Sequence, residues 1–501
     1  MYKPLIKIAI ASATVLLATG CAVGPDFQRP APPPVKGYTT EPLSAGPASA
    51  DTATPSQHFE EGEDIPAQWW TLFHSPALSQ LVDRALKANP DLQAAQATLR
   101  QARENAYAAG GLLFPSVDAN ASAYRQDTNG AQSGQPGNPG SLYTVYNATV
   151  SVSYGIDLFG VARRTLESLE AQREFERYQL EGAYLTLTSN VVTTAVQEAS
   201  LRAQIAATRD IIDAESQQLD LLKKQYDVGG VSLSTVLAQQ TALAQTRANL
   251  PLLEKQLGQI RNQLAALAGY FPSENEIEAF DLEMLQLPQE LPVSLPSRLV
   301  EQRPDILAAE SQLHAASAQI GVATANMFPQ LTISGNAGSV ATSASHLLST
   351  GTAVWSVGAD LVQPIFHGGT LQHQRKAAVA AYDAAAAQYR SVVLSAFKDV
   401  ANVLDALRSD AAIVQTQTVA AQSAADSLEI TRKQYQIGAA SYLALLNAQQ
   451  SYQQTRIALA QARAGRFADT AALFQSLGGG WWNRDDGSGE AGQQTSGADK
   501  Q

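Results

Sequence analysis

The chain has 501 residues and a formal charge of −12. That acidic balance excludes a nucleic-acid partner, whose phosphates reward a basic face. The only cysteine is Cys21, so no internal disulfide and no cysteine-rich metal site can form.

Lys3 and Lys7 precede the apolar run IAIASATVLL (8–17), which is too short to span a bilayer. LLATGC then ends on Cys21 and resembles a bacterial lipobox, with Ala18 in the place of the usual leucine and Leu17 one place further back. Residues 1–20 are therefore expected to be a lipoprotein signal peptide and Cys21 the lipidation site; an ordinary signal peptide cut at a small residue is the alternative. Cleavage removes Lys3 and Lys7, taking the charge from −12 to −14. Ala22 after the cysteine implies sorting to the outer membrane, where several acyl groups hold firmly.

Residues 21–64 are rich in Pro, Ala, Gly, Ser and Thr and read as an extended, acylated tether. Helical periodicity begins near Pro76, and Pro90 splits a short helix from a longer one. From about 115 to 156 the period changes to two, interrupted by the turn-rich TNGAQSGQPGNPGS (128–141), which predicts a β-hairpin. In its second strand Tyr146, Ala148, Val150, Val152 and Tyr154 share one, mostly apolar face, and Val145, Asn147, Thr149, Ser151 and Ser153 share the other, mostly polar one. An apolar face opposite a polar one over about ten residues marks a membrane strand with a wet lumen. A proline-free helical run follows at 161–227, with a return helix at 234–270. Residues 271–300 form a linker.

The chain then repeats itself. Residues 224–250 match 433–459 at 11 of 27 positions, and Pro90–Pro115 match Pro304–Pro329 at 9 of 26. Two echoes in the same order define a tandem duplication, with units at 65–270 and 301–477. The second copy carries a hairpin at about 329–364, a long helix at 370–436 and a return helix at 441–477. Each long run would reach on the order of 100 Å at the helical rise. Tyr382, Ala386, Tyr389, Val393, Phe397, Val400, Leu404 and Leu407 recur at spacings of three and four, a coiled-coil-like seam. The twin tips DVGGVS and QIGAAS place glycine at a tight helix–helix reversal. Residues 478–501, opening on a triple glycine, read as a disordered tail.

Four strands cannot close a barrel, and an open edge in hydrocarbon leaves backbone groups unpaired at several kcal/mol each. The smallest useful barrels have about eight strands. Copies of the chain must therefore complete one another, which predicts a homo-oligomeric tube.

CAVGPDFQRP (21–30), QWWTLFHSPALSQLVDRALKANPDL (68–92), YGIDLFG (154–160), QPIFHGG (363–369) and the paired YxxG tips together resemble the TolC and OprM type of outer-membrane efflux duct, in its lipoprotein branch. The resemblance implies an α+β membrane protein: a homotrimer sharing a 12-stranded β-barrel, four strands per chain, above a long α-helical periplasmic barrel. It implies an equatorial belt built from the tether, the 271–300 linker and the C-terminal region. It also implies docking to a periplasmic adaptor protein and an inner-membrane pump. By the same resemblance the periplasmic gate falls on Tyr435, Leu443 and Asn447, with Ser234 and Thr235 on the first tip. Adaptor docking falls on Gly229, Gly230, Gly438 and Ala439. The family's latch charges are replaced by Ala440, Ala444, Ser234 and Thr235, so a gate held by packing and hydrogen bonds is expected.

No metal pair such as HExxH forms among His58, His74, His314, His346, His367 and His373, and no GxSxG, Walker or GxGxxG motif occurs. No enzyme activity and no cofactor are expected. The reading is a passive exit duct for small molecules; protein secretion, metal efflux, or a lipid-anchored periplasmic coiled-coil scaffold without a pore are the alternatives.

Overall fold

The computed structural model describes residues 22–35, 37–40, 57–128, 141–274 and 277–484. The signal segment and Cys21 lie outside the described residues. The chain divides into two compact units, and each is taken by itself.

The first unit comprises residues 1–30, 98–177 and 308–390. Its centre is a four-stranded antiparallel sheet of β2 (Ser116–Thr128), β3 (Ser141–Ile156), β5 (Gln330–Ala341) and β6 (Ala353–Val362), in the order β2-β3-β5-β6; β1 (His58–Glu61) and β4 (Glu290–Val293) belong to the second unit. The register brings alternate residues of all four strands into line. Val117, Ala119, Ala121 and Ala123 of β2 pair with Val152, Val150, Ala148 and Tyr146 of β3. These continue through Gly335, Ala337, Ser339 and Ala341 on β5 to Val357, Trp355 and Ala353 on β6. Ser339 is the one polar residue in that set. The opposite face is mostly polar, with Asp118, Asn120, Ser122, Asn147, Thr149, Ser151, Ser334, Asn336, Ser356 and Asp360 outnumbering Val145, Val340 and Val354.

Nothing among the described residues covers the apolar face. All ten residues of β6 are exposed, Trp355 at 79% and Val357 at 75%. The sheet has no interior of its own, and β2 and β6 are both free edges. Gly338 lies opposite Thr149, and a Cβ there would stand 2.2 Å from the Ala148 carbonyl oxygen and 2.6 Å from Thr149 Cα. Only glycine lets β3 and β5 approach this closely.

The tether reading needs correction at residues 22–30, which are extended but held fast. Val23 N–H donates to the Phe159 carbonyl at 3.1 Å. The almost fully buried Arg164 donates to Val23 and Gly24 carbonyls and forms ion pairs of 2.7 Å with Asp26 and Glu167. Phe27 stacks on His314 at 4.3 Å, and Arg29 pairs with Glu310 at 2.9 Å. Composition hid this, because the anchoring groups lie on distant helices.

The second unit comprises residues 31–97, 178–307 and 391–501. Helix α1 (Pro76–Ala88) is capped by Ser75, whose Oγ accepts from Leu78 N–H, and proline at its first position suits its fixed φ. Asn89 ends α1 in an extended conformation, and its side-chain oxygen accepts from Asp91 and Leu92 N–H to start α2 (Pro90–Gly110). The core gathers Trp69, Trp70 and Phe73, with Trp69 stacked on Phe474 at 5.3 Å and Phe73 against Phe467 at 6.1 Å. Strand β1 (His58–Glu61) pairs in parallel with β4 (Glu290–Val293), so tether and linker both supply structure rather than slack.

Order continues past the triple glycine, against the expectation of a disordered tail from 478. Gly478, Gly479 and Gly480 all have positive φ and are buried. Trp481 Nε1–H donates to the Gln302 carbonyl at 2.7 Å, Trp482 Nε1–H to Asp64 at 2.9 Å, and Asn483 to the Ile65 carbonyl at 2.8 Å. Arg484 pairs with Glu181 at 2.8 Å and lies over the Tyr184 ring. Glycine here gives close approach: a Cβ on Gly480 would sit 2.5 Å from the Ile65 carbonyl oxygen. The remainder of the tail lies outside the described residues.

Four helices make the two hairpins: α3 (Val161–Asp227) with α4 (Leu233–Leu267), and, after α5 (Pro296–Gln302) and α6 (Pro304–Ala325), α7 (Thr370–Gln436) with α8 (Tyr442–Ser476). The return helices stop short of 270 and 477. Gly269 at φ 74 and Gly478 at φ 101 turn the chain, with Tyr270 N–H donating to Ala265 and Gly479 N–H to Phe474. Along α7, Tyr389, Val393, Val400, Leu404 and Leu407 are buried, while Tyr382, Ala386 and Phe397 are only partly so. No helix among the described residues is long and apolar enough to cross a membrane.

Candidate functional site: the paired helical tips

Both tips are built by one device. Gly229 N–H donates to Tyr226 and Gly230 N–H to Gln225; Gly438 N–H donates to Tyr435 and Ala439 N–H to Gln434. Gly229 and Gly438 have φ of 75° and 78°, the left-handed conformation that closes a helix C-terminus. The next helix starts on serine in each copy. Ser232 Oγ accepts from Thr235 N–H, and Ser441 Oγ accepts from Ala444 N–H. Tyr226, Gly229 and Ser232 therefore match Tyr435, Gly438 and Ser441 because they write one reversal.

Around this shared frame the tips differ. Leu219, Leu222, Val236 and Leu243 form a buried cluster in the first hairpin, and Tyr435 and Tyr442 of the second pack against it. The two rings meet edge to face, 6.0 Å apart at 64°. Tyr442 donates to Gln239 Oε1, and Gln239 Nε2–H donates to the Glu215 carbonyl at 3.0 Å. Gln239 is fully buried. Burial raises the Tyr435 and Tyr442 hydroxyls above the ordinary phenol value; for Tyr442 the neighbouring Tyr435 and Glu215 add to it. Both rings are neutral across the physiological range.

The other expected gate residues are placed differently. Leu443 is 64% exposed and Asn447 is exposed, neither packed on the cluster. Ser234 and Thr235 bond back to Ser232 Oγ at 2.7 and 3.1 Å, completing a local cap. The four positions expected to dock an adaptor, Gly229, Gly230, Gly438 and Ala439, are exposed beside Val228 at 82% and Ile437 at 81%.

At the tips the only ion pair among the described residues is Lys433 with Glu429, within one helix. Further along, Arg456 on α8 reaches Asp210 on α3 at 3.0 Å, a cross-hairpin bond the sequence did not reveal. Sequence reading also missed Tyr442 and Gln239. The signal was an asymmetry: Tyr442 occupies the place that Leu233 holds in the first copy.

An open sheet with one largely apolar and one largely polar face, together with duplicated long hairpins whose tips expose apolar residues, is the make-up of a channel-forming outer-membrane protein. The chain belongs to the outer membrane efflux protein family, matched over residues 81–270 and 295–479. It is 30% identical over 500 residues to the probable efflux pump outer membrane protein TtgC of Pseudomonas putida, covering 99% of each chain. To the pyoverdine export outer membrane protein OpmQ of Pseudomonas aeruginosa it is 32% identical over 458 residues, 89% of this chain and 94% of the relative. Among solved structures it is similar to the outer-membrane channel OprN, with a TM-score of 0.82 at 28% identity over 92% of this chain and 100% of that one.

Proposed function

We propose that this protein is the outer-membrane exit duct of a tripartite efflux system. It works as a homotrimer, anchored through acylated Cys21, and receives small molecules from an inner-membrane pump by way of a periplasmic adaptor. The sheet carries this reading. Its apolar face suits lipid, its polar face suits a wet lumen, and its two unpaired edges, β2 and β6, require neighbours. Three copies supply 12 strands, above the roughly eight needed to enclose a lumen. Relatives named for efflux pumps and for pyoverdine export support a small-molecule cargo.

The duct is passive and not an enzyme, the energy coming from the pump. Gating falls to the tips: Tyr435 locks one hairpin against the other, while Leu443 and Asn447, with Ser234 and Thr235 on the first tip, narrow the passage. Gly229, Gly230, Gly438 and Ala439 present the backbone that the adaptor grips. With no ionic latch across the tips, closure depends little on ionic strength.

Purified full-length protein in planar bilayers tests this directly. Discrete conductance from a species of three subunits is expected, with a closed-state level that scales only with bulk conductivity between low and high salt. A closed level rising far more steeply with salt refutes the packed gate. A water-soluble monomer without conductance refutes the duct.

A further inference from the structure

Three helices of one chain converge on a cavity of about 300 Å³ set back from the tips. Helix α3 presents Ile211, Ala214 and Glu215, α7 presents Leu428, and α8 presents Gln449 and Tyr452. The wall is mostly carbon, and its size is at the lower end of ordinary ligand pockets. Asp210, Glu429, Arg432 and Arg456 also line it, and two further polar groups are buried. Glu215 is 2% exposed and Gln449 is 5% exposed. Glu215 Oε2 and Gln449 Oε1 have no hydrogen-bond partner among the described residues. Buried acceptors left unpaired are costly, and the two share one requirement, a donor placed between the helices.

The surrounding charges do not supply it. Asp210 is taken by Arg456 at 3.0 Å, and Glu429 by Lys433 at 2.6 Å. Arg432 lines the cavity, but no ion pair joins it to Glu215 among the described residues. Thr246 of α4 lies beside the Glu215 carboxyl, but its hydroxyl donates to the Ala242 carbonyl at 3.2 Å, and Glu215 Oε2 is left without a partner.

We propose that this cavity binds a small amphipathic ammonium ion, whose N–H groups serve Glu215 and Gln449 and whose apolar body lies against Ile211, Leu428 and Tyr452. A metal ion is a poorer fit, since among the described residues no group of three or more carboxylates or histidines is placed to hold one. Burial raises the Glu215 carboxyl above its ordinary value, and a cation beside it favours its charged form. The backbone of Glu215 is joined through Gln239 to Tyr442, so an occupant bears on the packing of the tips. The site stands apart from the duct reading, because it lies between helices of a single chain and needs no conduction to be measured.

Calorimetric titration of the full-length protein in detergent tests it, with phenethylammonium as probe and 2-phenylethanol as its neutral counterpart. The ammonium is expected to bind saturably and at least tenfold more tightly than the alcohol. Glu215→Gln should erase that preference and Gln449→Leu should weaken ammonium binding severalfold, with Glu215→Asp retaining part of it. Circular dichroism establishes that each variant is folded; should Glu215→Gln fail to fold, Gln449→Leu carries the test. No saturable binding to folded wild type, equal binding of ammonium and alcohol, or unchanged affinity in folded variants would each overturn the proposal.

Discussion

Tyr442 and Gln239 show how much one hydroxyl holds at the tips. Replacing Tyr442 with Phe keeps the ring against Tyr435 but strands the fully buried Gln239 amide oxygen. Such a loss costs about 1–3 kcal/mol. The variant is expected to melt several degrees lower and to leak more in bilayers; wild-type melting and conductance would contradict the role given to this bond. A second residue-scale test concerns Asp410 on α7, whose carboxyl is pushed up to about 7. Burial is the main cause, then the hydrogen bond and charge of Asp469 on α8, with Arg466 opposing. A carboxyl raised in the folded state binds more protons than in the unfolded chain between its ordinary value and about 7. Stability therefore falls as pH rises through that window and levels off above it. Because Asp410 is only partly buried, the effect is discounted to about 1 kcal/mol. Asp410→Asn should flatten the melting temperature between pH 5 and pH 8, raising it at the alkaline end, and a parallel downward shift at both would contradict this. Tyr435 and the tip glycines were legible in the sequence because duplication wrote them twice. Glu215, Gln239 and Tyr442 were not, since each depends on contacts between helices that periodicity cannot register.

At the scale of elements, strands and helices were readable for different reasons. The sheet is written mostly in alternation, and the pairing aligns the four strands into one largely apolar face. Gly338 tests that pairing. A valine there must displace the β3 backbone at Ala148 and Thr149, so Gly338→Val should sharply reduce assembled protein in membranes while leaving Gly335→Val, where a Cβ meets nothing within 4 Å, close to wild type. Equal yields of the two variants would contradict the register. The long helices were legible from the absence of proline and from their seam. The ends of the return helices were less so, because Gly269 and Gly478 stop them through left-handed turns a few residues inside the polar boundary. The C-terminal segment was misread for a similar reason. Its glycines look like slack in a composition count but are required by the close approach of Ile65, Pro66 and Leu185.

For the whole molecule, two unpaired edges and an uncovered apolar face state that one chain is an incomplete object. This was legible from strand count alone, whereas the number of copies came only through resemblance. The clasp of Trp481, Trp482, Asn483 and Arg484 adds a matter of timing. Its partners Asp64, Ile65 and Glu181 leave the ribosome and cross the inner membrane long before it does. The second unit is thus unfinished until nearly the last described residue arrives. A chain still being exported has its beginning waiting for its end, which delays maturation until the entire polypeptide is in the periplasm and keeps truncated products from competing for assembly.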